Sequence, residues 1–115
     1  MSKCFPVAFA VGLIVLGGCS SKVTPNCNRQ PDPTNLDSGE QAALADAMRR
    51  YGGRCEQELW QCDISVARTR AGEILVTVGS VYPDADSGHC LRAPGDQDLA
   101  VYTLDGHFVR EVLTL

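Results

Sequence analysis

An apolar run of about a dozen residues, Phe5 to Leu16, follows the lone charge of Lys3 and ends at Gly17-Gly18-Cys19. This stretch constrains the fold most, because it decides where the folded polypeptide begins and whether its other thiols become oxidised. A charged start, a short apolar segment and small residues ahead of a cut form the layout of a secretory signal. Spanning a bilayer as a helix takes ~20 apolar residues, and the glycine pair breaks this run sooner. The competing reading, an uncleaved anchor or a buried apolar helix with Cys19 an ordinary thiol, fits that length and that break poorly.

Leucine three places before a cysteine, with two small residues between, resembles the lipobox of bacterial lipoproteins over the first twenty residues. The resemblance implies a diacylglycerol on the Cys19 thiol, cleavage between Gly18 and Cys19, and acylation of the new amine by a fatty acid such as palmitate. One acyl chain holds a protein to a membrane only marginally, whereas several hold it firmly. Residue Ser20 stands where inner-membrane lipoproteins carry aspartate, so the implied address is the outer membrane, with the domain facing the periplasm. Residues 1–18 are then a signal peptide, and Cys4 is discarded with them.

Cleavage before Cys19 leaves 97 residues, enough for one small domain. Without Lys3 the balance is nine Lys and Arg against fourteen Asp and Glu, a charge of −5 that argues against nucleic acid as a partner. Four further thiols remain, Cys27, Cys55, Cys62 and Cys90, and an even number in an exported chain reads as two disulfides. A metal site joining Cys90 to His89 or His107 would need reduced thiols in an oxidising compartment, and no Cys-x-x-Cys spacing occurs. Neither a metal nor a cofactor is expected.

Residues 19–36, polar and broken by Pro25, Pro31 and Pro33, read as a lipidated start followed by a tether. The domain is expected over 37–115. Asp37 or Ser38 caps a helix with Glu40 in its first turn; Leu44, Met48 and Tyr51 share a face, Ala45 and Ala47 permit close approach, and Gly52-Gly53 stops it. Alternating residues from Gln61 to Thr69, a turn at Ala71-Gly72 and a β-rich run from Glu73 to Tyr82 form a hairpin. A polar loop, Pro83 to Gln97, leads to a second hairpin turning at Asp105-Gly106. The expected fold is therefore α+β: one helix on a four-stranded antiparallel meander, stapled by disulfides. Helix end, first strand and loop meet at one end of the sheet. That favours Cys62–Cys90 with Cys27–Cys55, and leaves Cys55–Cys62 with Cys27–Cys90 close behind.

The order helix, hairpin, loop, hairpin resembles the cystatin-like fold over Asp37 to Leu115, although the strand that precedes the helix in that fold has no counterpart here. The resemblance implies an architecture and no activity.

Asp84, Asp86 and Gly88 resemble part of a calcium loop, but Gly95 occupies the position of the required glutamate, and Asp and Gly also suit turns. His89 or His107 could serve Ser87 or Ser80 in hydrolysis, yet no nucleophile-elbow motif accompanies them. No enzymatic activity is expected. Trp60 and Tyr82 flank the end of the sheet where the acidic loop emerges, and aromatic residues of this kind anchor partners. The expectation is a binding lipoprotein whose surface is Trp60, Tyr82, Asp84 and Asp86, with inhibition or immunity as its specific form and a basic envelope protein as partner. The alternative is a structural accessory subunit of an envelope complex.

Overall fold

The computed structural model describes residues 23–92 and 95–112. The signal segment, Cys4 and the lipobox with Cys19 lie outside them. Helix α1 (Ser38–Tyr51) starts at a reciprocal capping box: the Glu40 amide donates to Asp37 at 2.8 Å, and the Asp37 amide donates to the Glu40 carboxylate at 3.1 Å. Its contact face holds the expected Leu44, Ala47, Met48 and Tyr51, gains Ala43 and lacks Ala45. Ala43 and Ala47 are buried against the sheet, Leu44, Met48 and Tyr51 flank them, and Ala45 is exposed. The α-helix ends at Tyr51 with Gly52 as its cap, as expected, and the chain continues into a 3-10 turn, Gly52–Glu56.

The sheet comprises β1 (Gln61–Arg68), β2 (Ile74–Asp84), β3 (His89–Leu91), β4 (Gln97–Tyr102) and β5 (Phe108–Val112). The expected meander is present as β1-β2-β4-β5, every pair antiparallel. Its long loop is shorter than expected, because β2 runs on to Asp84 and folds back onto β3. Cys62, Ile64, Ile74, Val76, Val78, Ala100 and Tyr102 are buried with Ala43 and Ala47 in one cluster between sheet and helix. Each isoleucine and valine among them contributes ~1.5–3 kcal/mol on burial.

Tyr102 sits at the centre of one end of this core. Its hydroxyl donates to Asp46 at 2.8 Å, and its ring meets Phe108 edge to face at 5.7 Å. Burial, aided by that hydrogen bond, pushes the phenol's pKa up. The Arg50 guanidinium lies 3.8 Å from the centre of the Phe108 ring and donates to Asp46 at 2.6 Å. Beside this group the first turn of α1 touches the β4–β5 turn. A Cβ on Gly39 would fall 1.8 Å from the Leu104 carbonyl oxygen, and Gly106, at φ +88°, packs against Gly39 and Ala42.

The expected boundary between tether and domain at residue 36 is corrected. The Arg29 amide donates to Cys62 at 3.0 Å and the Ile64 amide donates to Arg29 at 2.8 Å, so the chain before α1 adds a short parallel bridge to the edge of β1. Cys27 is buried, and Gln41 donates to the carbonyls of Pro33 and Leu36. The packed body thus begins near Cys27.

The disulfides are Cys27–Cys90 and Cys55–Cys62, not the favoured pairing. Register explains the correction. Cys62 stands opposite Ser80 and Cys90 opposite Pro83, positions of opposite parity on β2, so the sheet separates the two sulfurs. Cys62 reaches Cys55 on the helical side, while Cys90 joins Cys27 on the other.

Candidate functional site

Strand β1 ends its pairing at Gln61↔Val81, and β2 overhangs it by Tyr82, Pro83 and Asp84. Residues 57–60 turn back beneath this overhang, the Trp60 amide donating to the Gln57 carbonyl at 3.3 Å. Between the two lies an open cleft of about 470 Å³, within the size range of ligand sites. Trp60, Tyr82, Asp84 and Asp86 all line it. The four residues singled out from the sequence therefore share one concavity.

Trp60 and Tyr82 meet edge to face, ring centres 5.9 Å apart at 67°. Tyr82 is exposed and Trp60 half-buried. Asp84 shapes the β2–β3 turn: its carboxylate accepts from the Ser87 hydroxyl at 2.7 Å and from the Asp86 and Ser87 amides at 3.3 Å. The Ser87 hydroxyl, then those amides, hold its carboxyl below the ordinary range, so it is anionic at neutral pH. Gly88 closes the turn at φ +72°. The resemblance to a calcium loop therefore reduces to turn chemistry at Asp84. Among the described residues, no Lys, Arg or His lines the cleft.

Thr24, Leu59, Gln61, Pro83 and Ala85 complete the lining, of which Thr24 and Leu59 were not singled out from the sequence. Leu59 has φ +70°, the only non-glycine residue in the left-handed region among those described, and its side chain is 71% exposed. That backbone costs a branched residue ~1–2 kcal/mol. No composition or periodicity signal marks it.

Below the cleft, Arg54 pairs with Asp98 and donates to the Ser80 hydroxyl at 3.4 Å. The Ser80 amide donates to the Asp96 carbonyl at 2.8 Å. The candidate nucleophiles are thus engaged elsewhere, Ser80 with Arg54 and Ser87 with Asp84. His107 follows the β4–β5 turn, at the opposite end of the sheet from both serines. Among the described residues no group of three or more His, Cys, Asp or Glu is placed to hold a metal, and no helix is long and apolar enough to cross a membrane.

Comparison with protein-family models, curated proteins and solved structures finds no match to this chain, so the likeness to the cystatin fold rests on element order alone.

Proposed function

We propose that this chain is a lipid-anchored protein of the bacterial cell envelope whose domain binds another envelope protein at the Trp60–Tyr82 cleft. The anchor is read from Leu16-Gly17-Gly18-Cys19, and two disulfides suit an oxidising compartment. The observation that carries the binding reading is the gathering of Trp60, Tyr82, Asp84 and Asp86 around one cleft. Functional residues concentrate on loops positioned by a rigid scaffold, and aromatic side chains dominate the energetics of interfaces. The anionic lining suits a basic partner, and inhibition or immunity is the form such binding would take.

A second reading, an accessory subunit docking along a sheet edge, is favoured by β5. It is the last strand in the sheet order, and it exposes Phe108 and Val109. A photo-crosslinking residue placed at Tyr82 or at Val109 in intact cells separates the two. Capture of a protein from position 82 and not 109 is the expected result; capture from 109 alone would replace the cleft with the edge. Acyl labelling of the wild type and its loss in Cys19→Ala test the anchor independently.

A further inference from the structure

The end of the sheet that carries the cleft is also the end nearest to Cys19 along the chain. Thr24 lines the cleft with Trp60 and Tyr82, and it stands five residues after Cys19. Five residues of chain, in any conformation, span at most ~17–18 Å. The opposite end of the sheet, where Ile74 pairs with Tyr102 beside the β4–β5 turn, lies eight residues along β2 from Tyr82, about 26 Å at the rise of a strand. A lipid on Cys19 would therefore hold the cleft closer to the bilayer than the far turns. We propose that the domain turns the Trp60–Tyr82 cleft toward the membrane, and that the partner entering it is a protein held in that same membrane, docking through a segment beside the bilayer surface.

The inference rests on Cys19 being acylated and on the cleft being the docking surface, and adds where the partner must stand. Side chains around the cleft agree with that place. Val23, Leu59, Tyr82 and Leu91 are all exposed, and Leu91 stands opposite Tyr82 in register. Trp and Tyr suit the boundary between water and lipid, where one end of the side chain is apolar and the other wet. The far end exposes Leu104, Phe108 and Val109 as well, so apolar surface alone does not choose between the ends; the length of the tether does. Asp84 sets the depth. Its carboxylate is anionic and held in the β2–β3 turn, and an ion in hydrocarbon is costly, so the cleft stays at the level of the headgroups. Holding two proteins to one surface raises the concentration of each that the other meets, which favours a membrane-held partner over one free in the compartment.

Trp60 is the single tryptophan of the chain, so its emission reports the height of the cleft. The acylated full chain is placed in phosphatidylethanolamine–phosphatidylglycerol vesicles containing dansyl-phosphatidylethanolamine, which accepts tryptophan emission by energy transfer. Transfer from Trp60 is expected to exceed, several-fold, that from a tryptophan at the far turn in the double variant Trp60→Phe with Leu104→Trp. A Gly-Ser spacer of about thirty residues between Ser20 and Ser21 should cut Trp60 transfer, and in intact cells should lower capture from position 82 roughly tenfold, because effective concentration falls steeply with tether length. An unchanged melting temperature shows that the spacer leaves the fold intact, and the spacer comparison decides even where the double variant does not fold. Equal transfer from the two positions, or Trp60 transfer indifferent to the spacer, overturns the orientation. Strong Trp60 transfer with capture unchanged by the spacer overturns the membrane-held partner. Absence of acyl label on the wild type removes the anchor and this inference together, and leaves the cleft reading standing. Capture from 109 alone removes the cleft reading whatever the vesicles show.

Discussion

The end of the sheet that holds the two hairpin turns and the end that holds the cysteines are built on different principles. At the turn end, backbone meets backbone across Gly39 and Leu104, and Arg50, Asp46, Tyr102 and Phe108 satisfy one another. At the cysteine end, two covalent links hold irregular chain in place, an aromatic pair is left at the surface, and Leu59 is held in an unfavourable backbone conformation. A complete aromatic and charged group stabilises the fold. At the cysteine end two disulfides take that part.

If the cysteine end depends on its covalent links, Cys27–Cys90 should matter most. It closes a loop of 63 residues in sequence, against 7 for Cys55–Cys62. Chain entropy then predicts a cost of about 4 kcal/mol for Cys27→Ala with Cys90→Ala, and about 2.5 kcal/mol for Cys55→Ala with Cys62→Ala. Urea unfolding of the two double variants measures both. A larger loss from the short loop would mean that packing on the helical side, not loop closure, governs this end.

The corresponding strike at the turn end is Gly39→Ala. A methyl there must displace the Leu104 carbonyl, which is backbone and cannot swing aside, so α1 has to lift from the β4–β5 turn. Overpacking of this kind costs about 3 kcal/mol. Circular dichroism should record the lower melting temperature, and Trp60 emission in the native state should stay unchanged because the cleft lies at the far end. A shift in that emission would show that the two ends are not independent.

How much of this was legible in the sequence follows from how local each feature is. The cap at Asp37 and Glu40 and the turn at Asp105-Gly106 are set by residues within four positions, and both are found in the structure. The meander followed from alternation and turn chemistry. The disulfide pairing was not legible, because it depends on the parity of Cys62 and Cys90 relative to β2, and parity is fixed only once register is known. The bridge at Arg29 was hidden for a similar reason. Three prolines nearby look like a tether, and the edge of β1 that accepts Arg29 is visible only in three dimensions. At the cleft, the aromatic and acidic residues carried their own chemical signal, whereas Leu59 is an ordinary leucine until its φ is seen.

Leu59 offers the smallest effect and the sharpest separation of the two ends. Glycine tolerates a φ of +70°, so Leu59→Gly relieves ~1–2 kcal/mol of backbone strain, less ~0.4–1 kcal/mol for the greater freedom of the unfolded chain. A gain of about 0.5–1 kcal/mol remains, worth several degrees in melting temperature for a domain this size. The side chain removed is 71% exposed, so little packing is lost with it. If strain is retained because this leucine meets a partner, the stabilised variant should capture less protein from position 82 in the crosslinking experiment. Stability and capture moving together would instead make Leu59 a contributor to the fold, and the cysteine end would then differ from the turn end only in its sulfurs.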